Sequence, residues 1–151
     1  MANIKKLRLG DMLVKAQIIT EEQLRRALEV QKQTKEKLGT VLVNLGFVRE
    51  KVMLGFLASQ LGLKTVHLDE IEPVRLDYLD IREDVFVSLL EKYVVIPIAD
   101  ELDTLVLAMA DPLDIEAIDI FERITSKRVK PVIATEREIR EGIRIYRRML
   151  R

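Results

Sequence analysis

The sequence predicts an α+β fold in which duplicated N-terminal helical hairpins, residues 1–62, are packed with a small C-terminal α/β subdomain, residues 63–151. Three observations predict it. Residues 8–31 recur at 37–60, an offset of 29, so one helical design is written twice. Within each copy the apolar residues fall at the i, i+3, i+4, i+7 spacing of a helix face. After Gly62 that spacing gives way to short apolar runs alternating with helical segments, in the order β-β-α-β-α of a small open sheet with helices packed on it.

The elements follow in chain order. Residues 9–16 read as a short helix opened by Gly10, and Thr20 ahead of Glu21-Glu22-Gln23 reads as the N-cap of a longer one. Leu24, Ala27, Leu28 and Gln31 share a face of that second helix. The copy repeats the plan: a short helix from Gly39, a stop at Gly46, then a helix over 49–61 with Met53, Phe56, Leu57 and Gln60 on one face. Residues 64–68 suit a short strand, Glu72-Pro73 marks a break, and helical pieces are expected over 75–79 and 84–92. Residues 94–99 and 104–110, separated by the polar Asp100-Glu101-Leu102-Asp103, read as a β-hairpin whose first strand Pro97 confines to an edge or a bulge. Asp111-Pro112 opens a helix carrying Ile115, Ile118 and Phe121, and residues 129–134 form a further strand. Thr135 caps a last helix with Ile139, Ile143, Tyr146 and Leu150 on one face.

Seven of the 24 aligned positions of the two copies are identical: Leu9/Leu38, Gly10/Gly39, Leu13/Leu42, Val14/Val43, Glu21/Glu50, Leu28/Leu57 and Gln31/Gln60. A hairpin duplicated for stability keeps its leucines but has no need to keep a base, a glycine and a glutamine. Arg8 and Lys37 stand two residues ahead of Gly10 and Gly39, at helix starts where unpaired N–H groups and the helix dipole favour an anion such as phosphate. A glycine there lets a ligand approach the backbone closely. Arg8 can also fork two acceptors or lie on a ring, which Lys37 cannot. Gln31 and Gln60 set an amide, donor and acceptor together, beside an apolar surface that suits a flat base. Two such sets imply a ligand with two phosphates and two bases. A cyclic dinucleotide has that symmetry and a mononucleotide does not. Each feature alone is ordinary, glycine as punctuation and leucine as core; their joint recurrence at one offset points to a site. Asp111, before Pro112, reads most simply as the N-cap of its helix, and its place at the helix mouth makes it a second-tier ligand candidate.

Composition sets the outer limits. Hydrophobic residues make up 48% and charged residues 33%, a soluble globular balance. No apolar run approaches the ~18 residues of a membrane span, so no direct membrane insertion is expected. The chain has no cysteine, which excludes disulfide and thiol chemistry and fits a cytoplasmic location, and residues 1–6 lack the apolar core of a signal peptide. The net charge is zero, yet residues 1–60 carry eleven Lys/Arg against six Asp/Glu, and 61–151 fourteen against nineteen. An anionic ligand therefore belongs on the repeated half. His67, the only histidine, reads as an ordinary strand-end residue and leaves no metal set and no base–nucleophile pair. The later acidic residues are scattered rather than paired, so neither an enzyme site nor a cofactor is expected. No Gly-x-x-x-x-Gly-Lys-Ser/Thr segment occurs. Arg140, Arg144, Arg147, Arg148 and Arg151 give the last helix a basic end that suits its dipole. With only Tyr146 beside them to stack on, no nucleic-acid partner is expected.

Arg/Lys-Leu-Gly, then the spaced leucines and the glutamine, twice with five residues between, resembles the MshEN-type cyclic-di-GMP-binding domain. That domain stands at the N-terminus of type II secretion and type IV pilus assembly ATPases (GspE- and PilB-like). The runs Val94-Val95-Ile96-Pro97-Ile98, Ala108-Met109-Ala110-Asp111-Pro112-Leu113-Asp114 and Val129-Lys130-Pro131-Val132-Ile133-Ala134 are similar to its α/β part. The resemblance implies that one half of cyclic di-GMP lies against Arg8, Leu9, Gly10, Leu24, Leu28 and Gln31. The other half is implied to lie against Lys37, Leu38, Gly39, Gly46, Met53, Leu57 and Gln60. It further implies a non-enzymatic regulatory domain that relays occupancy to a motor, with the ATPase core or an inner-membrane platform protein as partner. Two positions depart from the pattern: Gln17 stands where Gly46 stands in the second copy, and Lys37 replaces an arginine. Related domains with an incomplete motif serve as nucleotide-independent docking modules of the same machinery, and that is the alternative reading.

Overall fold

The computed structural model describes residues 8–150; the expectations placed on residues 1–6 and on Arg151 lie outside the described residues. The fold is α+β, with seven α-helices and one three-stranded sheet among those residues. The chain divides into two compact units, Met1–Phe56 and Leu57–Arg151, and the division falls within the helix Glu50–Leu61.

The first unit carries the doubled design as far as Phe56. Helix α1 (Leu9–Lys15) leads to α2 (Glu21–Thr34), and α3 (Leu38–Asn44) leads to α4 (Glu50–Leu61). Thr20 starts α2 with a capping box: its hydroxyl accepts from Gln23 N at 3.1 Å while Gln23 Oε1 accepts from Thr20 N at 2.9 Å. Leu13, Ile19 and Ala27 of the first copy are buried, as are Leu42, Val48 and Met53 of the second. Four of these six fall at equivalent positions, Leu13 with Leu42 and Ile19 with Val48.

The second unit is built on strands β1 (Val95–Asp100), β2 (Thr104–Met109) and β3 (Arg128–Ile133), in that order across the sheet. β1 and β2 are the expected antiparallel hairpin, and the register slips between Pro97 and Ala99, so the proline sits at a bulge of an edge strand. β2 and β3 run parallel, joined through α6 (Ile115–Thr125). Helix α5 (Glu83–Tyr93) precedes the sheet and α7 (Glu136–Met149), capped by Thr135, follows it. Phe86 of α5 stands 5.9 Å from Phe121 of α6 and 5.8 Å from Tyr146 of α7, ring centre to ring centre. Those contacts tie three helices into one core, each worth about 0.5–1.5 kcal/mol beyond the buried area.

Three local expectations change. Residues 64–68 form no strand: Thr65 alone bridges to Ile133, with Val66 N donating to Ile133 O and Ile133 N to Lys64 O, both at 2.8 Å. The chain then turns away because Leu68 N donates to the Glu138 carboxylate at 2.7 Å and a 3-10 turn, Leu68–Glu70, begins. Residues 75–79 are not helical. Val74 N donates to Pro97 O at 2.9 Å and Leu76 N to Tyr146 Oη at 3.3 Å, so distant partners take amides that a helix would use itself. Asp111 does not cap α6; Asp114 does, accepting from Ala117 N at 3.1 Å, while Asp111 Oδ1 closes a turn by accepting from Leu113 N at 3.0 Å.

Candidate functional site

The two copies match at the level of single hydrogen bonds. Arg8 and Lys37 are both extended residues that precede a seven-residue helix, and their carbonyls accept from Met12 N and Val41 N at 3.1 Å each. At the other end Gln17 N donates to Val14 O and Ile18 N to Leu13 O, at 2.9 Å each. The second copy repeats the pair, Gly46 N to Val43 O and Phe47 N to Leu42 O, at 3.0 Å each. This is the Schellman closure, which requires left-handed backbone at its centre. Gly46 supplies it at φ 76, and Gln17 adopts it at φ 61 without a glycine's freedom.

The glycines of the motif pack reciprocally. A Cβ on Gly10 would lie 2.5 Å from Leu24 Cδ1 and 3.2 Å from Leu38 Cδ2. A Cβ on Gly39 would lie 3.1 Å from Met53 Cε and 3.4 Å from Leu9 Cδ2. Each glycine is covered by the long helix of its own copy and by the leucine beside the other glycine, the pattern of a local two-fold. Leu9, Gly10, Leu24, Leu38, Gly39 and Met53 are thereby brought together, with both glycines buried.

The remaining candidates are spread out. Arg8 is exposed and Lys37 half-buried at the two helix starts. Leu28 is 40% exposed, whereas its counterpart Leu57 is buried. Gln31 is half-buried, and its Nε2 donates to the backbone carbonyl of Glu36 at 3.1 Å. Gln60 is exposed one residue before the end of α4. Leu57, Gln60 and Asp111 belong to the second unit. Arg25 on α2 is held between Glu22 and Glu29, and its guanidinium keeps the Glu22 carboxyl below the usual range. Among the described residues no group of three or more His, Cys, Asp or Glu is placed to hold a metal ion. Among them, too, no helix is long and apolar enough to cross a membrane. Nothing in the sequence marks Glu36, because its part is played by a backbone carbonyl that every residue type carries.

Fold and site together define a two-unit α+β domain whose N-terminal half is an internal duplication. The chain belongs to the MshEN domain family, whose profile matches residues 61–150. The chain is similar to the type IV pilus assembly ATPase PilB of Myxococcus xanthus strain DK1622, 35% identical over 141 residues that make up 92% of this chain and 24% of that protein. It is also similar to PilB of Thermus thermophilus, 34% identical over 132 residues, 85% of this chain and 14% of that protein. The chain thus spans about a quarter or less of the curated relatives it matches. Among solved structures, that of MshE with cdg superposes with a TM-score of 0.72 at 34% identity, covering 93% of this chain and 99% of that one. The N-terminal domain of XpsE superposes with a TM-score of 0.76 at 22% identity, covering 97% and 98%, a likeness of fold.

Proposed function

We propose that this chain is a cyclic di-GMP-binding regulatory domain of a type II secretion or type IV pilus assembly system, relaying nucleotide occupancy to a motor ATPase. The carrying observation is the duplication itself: base, glycine, leucine and glutamine recur at one offset, on short helices whose first and closing hydrogen bonds recur with them. The likeness to MshE solved with cdg, which we read as cyclic di-GMP, supports the same ligand, and the likeness to PilB supports the setting. In this reading the domain carries no catalysis of its own and works in the cytoplasm, against the ATPase core or an inner-membrane platform protein.

Calorimetry with cyclic di-GMP, set against cyclic di-AMP and GTP, tests it. Heat and a thermal shift with cyclic di-GMP alone are expected; neither at ~100 μM ligand defeats the reading. One observation favours a second reading, a nucleotide-independent docking module: the space over Gly10 and Gly39 is filled by the chain's own side chains. Capture of the motor or platform protein by a domain that binds no nucleotide would establish that alternative.

A further inference from the structure

We infer that Lys35 is a positioning residue for the nucleotide site, acting through its backbone to fix how Gln31 meets a base; this rests on the proposed cyclic di-GMP reading. Gln31 is gripped twice by the linker between the two copies. Lys35 stands in the left-handed region at φ 58, ending α2, and its N–H donates to Gln31 O at 2.7 Å. That turn delivers the Glu36 carbonyl to the Gln31 side chain, whose Nε2 donates to it at 3.1 Å. A backbone carbonyl only accepts, so the amide has one possible orientation: nitrogen toward the linker. The latch spans the motif, since Gln31 is the last residue of the first copy and Glu36 directly precedes Lys37, the first of the second.

The second copy lacks the device. Helix α2 runs 14 residues and α4 runs 12, so α4 ends two residues sooner after its glutamate start. It closes at Gly62, φ 66, with Leu63 N donating to Ala58 O. Gln60 is exposed, and no bond like that of Gln31 is found for it among the described residues. One glutamine is therefore held in place before a ligand arrives and the other is ordered on binding. Fixing a rotamer-rich side chain in advance is worth about 2- to 12-fold in affinity.

The experiment is calorimetry with cyclic di-GMP on the wild-type chain and on Lys35→Gly and Lys35→Pro, each repeated in a Gln31→Ala background. Thermal melting of every variant checks the fold. Glycine favours the left-handed region and takes away only an exposed, solvent-screened side chain, so Lys35→Gly binds within about 2-fold of wild type. Proline fixes φ near −65° and removes the N–H, so Lys35→Pro weakens binding about 2- to 12-fold. In the Gln31→Ala background the same proline changes affinity less than about 2-fold, because nothing is left to position. If proline unfolds the chain, Lys35→Val disfavours the same backbone region and carries the same expectation. An equal loss in both backgrounds, a loss with glycine as large as with proline, or no loss with a folded proline variant overturns the inference. No binding by the wild-type chain removes the nucleotide reading itself, a separate and recognisable outcome.

Discussion

Gln17 and Gly46 hold the same left-handed backbone, φ 61 and φ 76, at positions 29 residues apart in the two copies. Glutamine makes in the first copy the turn that glycine makes in the second, in a backbone region that strains a side-chain-bearing residue. A Cβ at Gly46 meets nothing within 4 Å, so what opposes a side chain there is the backbone region and not a lack of room. A non-glycine residue in that region costs about 1–2 kcal/mol, partly offset because glycine is freer when unfolded. Gln17→Gly is expected to raise stability by about 0.5–1 kcal/mol and Gly46→Ala to lower it by about 1 kcal/mol. Urea denaturation reads both; a destabilised Gln17→Gly would mean that the glutamine side chain has a role of its own.

The reciprocal packing of Gly10 and Gly39 is unequal in tightness. A methyl on Gly10 would meet Leu24 at 2.5 Å, whereas one on Gly39 would meet Met53 at 3.1 Å. Leucine must change rotamer or push its helix, while the unbranched methionine has slack to give. Gly10→Ala is therefore expected to cost about 1–2 kcal/mol and Gly39→Ala less than about 0.5 kcal/mol. Thermal melts of the two single variants would decide it, and equal losses would contradict the difference in packing.

Much of this was legible in the sequence, and the failures share a cause. The repeat carried the hairpins, the Gly46 stop and the Thr20 cap, because each is fixed by residues within one turn of the helix end. Pro97 announced its own bulge by lacking an N–H. Residues 64–68 and 75–79 went wrong where amides are taken by Ile133, Pro97 and Tyr146, partners that only the folded sheet brings near. Asp111 and Asp114 are chemically alike, so spacing alone did not say which caps α6. The filling of the glycine spaces by Leu24 and Leu38 depends on α1 meeting α3, which no local pattern encodes.

Tyr146 gives the second unit a dependence on alkaline pH. Burial, first, holds its phenol above the ordinary value, and burial does the same for Tyr93 and Tyr78. A group whose folded pKa is raised contributes stability that is complete below its unfolded value, about 10 for tyrosine, and is lost as pH rises through the folded one. Stability is thus expected to fall above about pH 10. Tyr146→Phe removes one titrating group and leaves the buried Leu76 N–H without its partner. It should cost about 1–3 kcal/mol at neutral pH and make the alkaline decline shallower. Urea midpoints across that range check both parts, and an unchanged alkaline slope would assign the decline to Tyr93 and Tyr78.

The ends of the two motif copies differ in one chemically telling way, arginine at position 8 and lysine at position 37. Both begin a short helix from extended backbone, so both reach the same kind of ground. A guanidinium can bond two phosphate oxygens at once or lie on a base, whereas an ammonium acts as a point charge. If the doubled motif holds cyclic di-GMP, Arg8→Ala weakens it by roughly 1.5–3 kcal/mol, the worth of a hydrogen bond to a charged group, and Gln31→Ala by roughly 1–3 kcal/mol, the cost of leaving its partner on the base unsatisfied. Lys37→Arg should act the other way, tightening binding by about 0.5–1 kcal/mol through stacking or a second bond. Calorimetry at two salt concentrations separates these effects, since the loss in Arg8→Ala shrinks with salt and that in Gln31→Ala does not. Wild-type affinity in both alanine variants would place the nucleotide elsewhere on the molecule.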